Sequence, residues 1–106
     1  MKNNFFISVI LFLLTTILIK TSYADDKILL GKEIFNNKAM CGTCHALKES
    51  RSIGNIGPNL DLLKPPLERI IYVVSNGIGV MQAWEGILTK EEIKAVAYYV
   101  FNSTNK

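Results

Sequence analysis

The chain has 106 residues, a formal charge of +3 and two cysteines. Two of its twelve basic residues, Lys2 and Lys20, lie in the first 24 positions, so the remainder has ten basic and nine acidic side chains, about +1. This balance does not provide the clustered basic face that nucleic-acid binding needs. A disulfide framework is also excluded, because two cysteines three positions apart close too small a loop to constrain the chain.

The first 24 residues have the order of a secretory signal peptide. An uncharged stretch runs from Phe5 to Ile19, small residues stand at Ser22 and Ala24, and charge returns at Asp25. About 20 apolar residues are needed to cross a bilayer, so an uncleaved anchor is the less favoured alternative. We expect cleavage after Ala24, export to the periplasm, no stable membrane span after removal of the signal, and one small domain over residues 25–106.

The first predicted helix of that domain covers about residues 26–38. Leu30, Ile34 and Phe35 recur at helical spacing, and Gly31 lies one turn before Phe35 on the same side. A glycine inside a helix costs about 1 kcal/mol relative to alanine. We expect it to allow the close approach of another helix, and the alternative is a tolerated glycine near a frayed end.

The second predicted helix covers about residues 67–75. Pro65 and Pro66 precede it, as suits a first turn that needs no amide donors, and Asn76 and Gly77 follow it. Its isoleucines and valines make it apolar almost all round. We therefore expect this helix to be well buried.

The third predicted helix covers about residues 90–102. Thr89 and Glu92 form the sequence pattern of a capping box. An apolar stripe at positions i, i+3, i+4, i+7 and i+8 then runs from Ile93 to Phe101. No alternating strand pattern occurs in the chain, so we predict an all-α domain of three main helices and connecting loops.

The clearest functional motif is Cys41-Gly42-Thr43-Cys44-His45, which matches the attachment pattern for a c-type haem. Two thiols at this spacing can each add to one vinyl group of a haem, and the following histidine then becomes an axial ligand of the iron. A zinc site needs four ligands, and this chain has no other cysteine or histidine. A thioredoxin-like dithiol expects a strand–helix–strand context, which is absent. We predict one covalent haem c on Cys41 and Cys44, with His45 as ligand.

The second axial position of such a haem can hold His, Met, Lys or Tyr, or stay open. Met1 belongs to the signal segment, and Met40 is too close to Cys41 to reach the other haem face. Met81 lies in the loop of residues 76–84, whose two glycines allow a left-handed backbone close to a flat cofactor. We predict Met81 as the second ligand, and the alternative is a methionine packed in the core.

Taken in order, these features resemble the class I cytochromes c of the small bacterial monohaem type. The shared elements are Gly31 and Phe35, Cys41-Cys44-His45, Gly57-Pro58-Asn59-Leu60, Met81, and a last helix with Val96 and Tyr99. The resemblance implies a small cytochrome c fold wrapped around one haem, with Gly31 and Phe35 of the first helix crossing Val96 and Tyr99 of the last. It also implies one-electron transfer.

The resemblance further implies roles for single residues around the haem. The backbone carbonyl of Pro58 would accept a hydrogen bond from the Nδ1–H of His45. Trp84 would pack near the haem on the side of Met81. The family usually has proline directly after this methionine, and Gln82 stands there, so the loop is expected to be less rigid.

We therefore expect a periplasmic one-electron carrier of a respiratory chain and not an enzyme. Its partners would be redox proteins, namely a dehydrogenase or cytochrome bc complex upstream and an oxidase or reductase downstream, with no nucleic acid. One alternative is a haem subunit of a periplasmic dehydrogenase complex, since the stretch from Gly57 to Trp84 also resembles the cytochromes paired with molybdenum sulfite dehydrogenases. Another is an open-site ligand-binding or catalytic haem protein, which requires Met81 not to bind iron.

Overall fold

The computed structural model describes the backbone of residues 2–106 and the side chains of residues 4–13 and 23–106. Met1 and the undescribed side chains all fall within the predicted signal peptide and lie outside the described residues. Helix α1 spans Lys2–Glu33 and continues as a π-helical turn over Ile34–Lys38. The helix predicted over residues 26–38 is therefore confirmed as helical, within a segment that begins further upstream.

The C-terminal part of α1 packs against the rest of the chain. The ammonium of Lys27 lies 5.0 Å from the ring centroid of Tyr98, and Ile28 packs against the core. The side chains of residues 4–13 are exposed. Within the described part of the chain, no helix combines the length and the apolar character that crossing a membrane requires.

Three further α-helices follow. Helix α2 spans Leu60–Leu63, α3 spans Leu67–Asn76 and α4 spans Lys90–Thr104. The capping box at the start of α4 is present, with the Thr89 hydroxyl accepting from the Glu92 amide at 3.1 Å. The second and third predicted helices are thus confirmed, each ending one or two residues later than expected, whereas the four-residue α2 is too short to show a helical period.

A small antiparallel hairpin corrects the expectation that the chain has no strand. Strand β1 is Ala46–Leu47, β2 is Ser52–Ile53, and Leu47 pairs with Ser52. Two residues per strand cannot display an alternating pattern, which explains why the sequence did not predict the pair. The domain is otherwise helical, so the all-α assignment holds.

The core lies where the end of α1 crosses α4. A Cβ added to Gly31 would contact the backbone carbonyl of Ala95 and would lie 2.6 Å from the Cβ of Tyr99. The rings of Phe35 and Tyr99 have centroids 5.9 Å apart, and both side chains are fully buried. Gly31 therefore allows a close helix approach, as predicted, and the frayed-end alternative is wrong.

Helix α3 is less buried than its composition suggested. Ile70 is buried, whereas Val73 and Val74 are half-buried and Tyr72 is 60% exposed. The reason is geometric, because one side of α3 packs toward α4 while Val73 and Val74 line a cavity. The expectation of a well-buried helix is met only at Ile70, and the half-buried Val73 and Val74 form part of the cavity wall.

Candidate haem site

The attachment sequence forms a tight turn of 3₁₀ type over Cys41–Thr43. The Cys44 amide donates to the Cys41 carbonyl at 3.1 Å and the His45 amide to the same oxygen at 3.0 Å. Met40 precedes the turn in a left-handed conformation with φ of 52°. The two cysteines are half-buried and unpaired, so both thiols are available to one ligand.

Burial raises the pKa of the Cys41 thiol to about 11, from an ordinary value of 9.0. Loss of solvation disfavours the thiolate, and this effect outweighs the backbone hydrogen bond that favours it. The thiol is therefore protonated at neutral pH. This pKa applies to the free thiol, since a sulfur bonded to a haem vinyl carbon is a thioether and does not titrate.

The imidazole of His45 is oriented by the loop that follows the hairpin. Its Nδ1 donates a hydrogen bond to the backbone carbonyl of Pro58 at 2.8 Å, which is the contact that the resemblance implied. The amide of Gly57 donates to the carbonyl of Cys44 at 2.8 Å. Because Nδ1 is engaged as a donor, Nε2 is the nitrogen left to coordinate a metal.

The two cysteines and His45 line a cavity of about 830 Å³. This volume lies within the usual range for cofactor and ligand sites, about 300–1,000 Å³. Met81 and Trp84 line the same cavity. Its wall is largely apolar, and α3 and α4 contribute the side chains of Ile70, Val73, Val74, Val96 and Val100. Thiols, an imidazole and an apolar wall in one cavity of this size fit a covalently held haem.

The loop that carries Met81 is built around glycine. Gly77 ends α3 with φ of 74°, and Gly79 has φ of 56°, so the left-handed backbone expected here is confirmed. The Ile78 amide donates to the Met81 carbonyl at 3.1 Å, and the Met81 amide donates to the Ile78 carbonyl at 2.9 Å. A Cβ on Gly77 would lie 2.6 Å from the Met81 carbonyl oxygen, so only glycine lets the turn close.

Trp84 and Gln82 lie on the far side of this turn. The Trp84 amide donates to the Val74 carbonyl at 2.9 Å, and its half-buried side chain packs against the core. Gln82 is exposed and also lines the cavity. The loop is therefore tied back to α3 directly after Gln82.

Two residues of the site were not found from the sequence. A Cβ on Gly57 would lie 2.5 Å from Cε1 and 2.8 Å from Nδ1 of His45, so glycine is needed beside the ring. Arg69 is the one charged residue among those that line the cavity in the described part of the chain. Its Cζ lies 5.9 Å from the ring centroid of Tyr72. The available signal was an arginine directly before the apolar run from Ile70 to Val74.

Comparison with known proteins identifies the family. Residues 26–100 match the family model described as "Cytochrome C oxidase, cbb3-type, subunit III". The chain belongs to the class I c-type cytochromes. This cytochrome carries one covalently bound haem c on Cys41 and Cys44.

Several relatives of this cytochrome are called cytochrome c6. It is 34% identical over 88 residues to cytochrome c6 of Chlorolobion braunii, an alignment that covers 74% of the chain and 92% of the relative. It is 39% identical over 99 residues to the chloroplastic cytochrome c6 of Chlamydomonas reinhardtii, covering 84% of the chain but only 62% of that protein.

A solved structure shows the same fold. The c-type cytochrome SorU from Sinorhizobium meliloti matches with a TM-score of 0.71 and 49% sequence identity, covering 77% of this chain and 95% of that one. The cytochrome described here is therefore an electron carrier and not an enzyme. It exchanges electrons with other redox proteins.

Proposed function

We propose that this cytochrome is an exported one-electron carrier whose haem iron is bound by His45 and Met81. The observation that carries the proposal is the shared cavity, because the attachment cysteines, His45 and Met81 all line it. Among the described methionines, Met40 also lines the cavity, but it is adjacent to Cys41 in the chain. Met81 approaches from a separate loop and is the better candidate for the second ligand.

A haem c supplies the one-electron chemistry, with iron cycling between Fe(II) and Fe(III). His45 contributes a ring whose Nδ1–H is engaged by Pro58, and this raises its basicity as a ligand. A thioether from Met81 raises the reduction potential relative to a second nitrogen or a thiolate. With His45 and Met81 both bound, the iron would have no position left for a substrate, which suits an electron carrier.

Arg69 is proposed to pair with a propionate of the haem. The cofactor is anionic at its propionates, and the cavity offers one charged residue among those described. An arginine guanidinium binds carboxylates through a planar pair of donors. The vinyl edge is held at Cys41 and Cys44, so a propionate partner has to come from other parts of the wall.

Optical spectroscopy of the haem-loaded protein in both redox states tests the ligation. We expect a low-spin ferric spectrum with a methionine-to-iron charge-transfer band. Met81→Ala should abolish that band, lower the potential and let added imidazole or cyanide bind rapidly. Met40→Ala is the matched control and should change none of these. An unchanged spectrum and potential in Met81→Ala would contradict the proposal and restore the open question of the sixth ligand.

We also propose that residues 1–24 are a signal peptide and that the mature protein works in the periplasm. Three observations support this division: residues 4–13 are exposed, contacts with the rest of the chain include Lys27 on the ring of Tyr98 and Ile28 on the core, and the family match begins at residue 26. Mass spectrometry of the exported holoprotein should give residues 25–106 plus one haem. A mass that retains residue 1 would contradict cleavage.

The partners are proposed to be a dehydrogenase or cytochrome bc complex as donor and an oxidase or reductase as acceptor, within a respiratory chain. Brief electron-transfer contacts typically bury less than about 1,200 Å² in total. Size-exclusion chromatography of a periplasmic extract tests this form of association. Elution as a small monomer is expected, and stable co-elution with a dehydrogenase would support the subunit alternative instead.

A further inference from the structure

The hairpin of β1 and β2 begins with the residue directly after His45. Its register places Ala46 opposite Ile53 and Leu47 opposite Ser52. Leu47 is completely buried, which anchors the hairpin in the core. The hairpin is therefore held in place by the core and is directly connected to His45.

The hydroxyl of Ser52 joins two backbone groups on the strand that leads away from His45. Ser52 Oγ donates to the His45 carbonyl at 2.9 Å and accepts from the Leu47 amide at 3.0 Å. A longer contact of 3.4 Å to the Leu47 carbonyl is an alternative direction for the same proton. One hydroxyl can satisfy the two shorter bonds at once, as donor and as acceptor.

The space around Ser52 is tight on the side of the attachment turn. A Cβ on Gly42 would lie 2.7 Å from the Ser52 Cβ. A Cβ on Gly54 would lie 2.6 Å from the carbonyl carbon of Cys44 and 2.7 Å from the Gly42 oxygen. Strand β2 and the residue after it thus lie directly against the backbone that holds the two cysteines.

We propose that Ser52 is a positioning residue for His45. The hydrogen bond from Nδ1 to the Pro58 carbonyl fixes the direction in which the imidazole ring faces. The Ser52 bond fixes the His45 carbonyl, and with it the backbone from which the ring projects. The His45 amide is already bonded to the Cys41 carbonyl at 3.0 Å, so the Ser52 bond holds the other side of the same residue. The ring therefore projects from a backbone that is fixed at both peptide groups. This inference rests on the proposal that His45 is an axial ligand.

Proton NMR of the haem-loaded ferric protein tests the role of Ser52. In wild type, a hyperfine-shifted Nδ1–H resonance of His45 establishes ligation first, so failure of the ligation is seen before any variant is made. Ser52→Ala should speed exchange of this proton about fivefold, the factor for the loss of one net hydrogen bond of about 1 kcal/mol. It should also change the spread of the haem methyl shifts, which reports the orientation of the axial ligands.

The matched control is Ser50→Ala in the same hairpin connection. Ser50 bonds the hydroxyl of Tyr99 at 2.6 Å, so its loss weakens the anchoring of the hairpin without removing the bond to His45. Wild-type exchange in Ser50→Ala is expected. An equal acceleration in both variants, or none in Ser52→Ala, would overturn the proposal.

A second pair of variants covers the case in which Ser52→Ala does not load haem. Ser52→Thr keeps the hydroxyl. Ser52→Val introduces a side chain of nearly the same shape as threonine but without the hydroxyl. Both are β-branched residues that suit a strand. The proton exchange rate and methyl shifts of Ser52→Thr are expected to lie closer to wild type than those of Ser52→Val, whereas identical spectra of the two would overturn the role of the hydroxyl.

Discussion

Gly57 lies against the imidazole of His45, and a Cβ at position 57 would come within 2.5 Å of Cε1 and 2.8 Å of Nδ1. The ring cannot easily give way, because its Nδ1 is bonded to the Pro58 carbonyl at 2.8 Å. The loop and the ring therefore restrain each other. An added methyl group has to displace one of them.

The first prediction follows from this contact. Gly57→Ala should destabilise the holoprotein by about 1–3 kcal/mol, the usual cost of overpacking. In a domain of this size, that lowers the thermal midpoint by at least about 5 °C. Asn55→Ala is the control, since Asn55 is exposed in the same loop. Equal midpoints for the two variants would show that the loop adjusts without cost.

The second prediction concerns Gln82, at the position where the family resemblance led us to expect proline. Its amide donates no backbone hydrogen bond among those of the described residues, so proline would remove none. We expect Gln82→Pro to stabilise the protein by about 0.4–1 kcal/mol, through the lower entropy of the unfolded chain.

Two measurements check this prediction, namely the thermal midpoint and the rate at which imidazole displaces the proposed ligand Met81 from the ferric iron. Gln82→Ala separates the effect of the proline ring from loss of the amide side chain. Proline should give the higher midpoint and the slower displacement. The reverse order would mean that the turn at Met81 needs a backbone conformation that proline disfavours.

The third prediction concerns the charge of Arg69 at the cavity. A positive charge near the haem disfavours Fe(III), so Arg69→Gln should lower the reduction potential. A unit charge about 10 Å from a redox centre, at an effective dielectric constant of about 20–80, is worth roughly 20–70 mV, which sets the scale of the expected loss. Lys64→Gln removes the same charge from an exposed position that does not line the cavity.

Spectroelectrochemical titration of both variants measures the effect. Because the haem is covalent, each variant should remain loaded, and the potential can be read without loss of the cofactor. Lys64→Gln should shift the potential by less than half as much. Equal shifts would indicate a general effect of net charge and would remove the case for a propionate contact.

The fourth prediction concerns the start of α4. The hydrogen bond from Lys38 is the main cause that lowers the pKa of the Glu92 carboxyl below its ordinary value of 4.5, with the Thr89 amide next. A lowered pKa means that the folded protein favours the carboxylate. The resulting stability is fully present above pH 4.5 and is lost as the pH falls through the lowered value.

Denaturant unfolding at pH 7, 5 and 3 checks the sign. Glu92→Gln keeps a residue suited to the capping box but removes the charge. Wild type should be more stable than Glu92→Gln at pH 7 and 5, and the difference should shrink toward pH 3. Glu91→Gln changes a neighbouring exposed carboxylate and serves as control. A difference that stays constant over this range would contradict the assignment.

Two helices of the fold could be predicted from local sequence patterns alone. The caps at Thr89 and Gly77 and the apolar periods predicted α3 and α4 to within two residues, because a helix is defined by contacts three or four residues apart. The hairpin was missed because its pairing depends on Ser52 meeting Leu47. Nothing in two-residue strands distinguishes them from a loop.

The sequence by itself determined the cofactor, since Cys41, Cys44 and His45 are close in the chain and covalent attachment needs only their local spacing. It also reduced the candidates for the second axial ligand to Met81 by elimination. The resemblance implied the hydrogen bond from His45 to Pro58, but only the tertiary structure showed its geometry and the close packing of Gly57 against the ring. Both residues come from a loop that folds back from more than ten residues away. Attachment is a local property, but the orientation of a ligand depends on packing between distant segments.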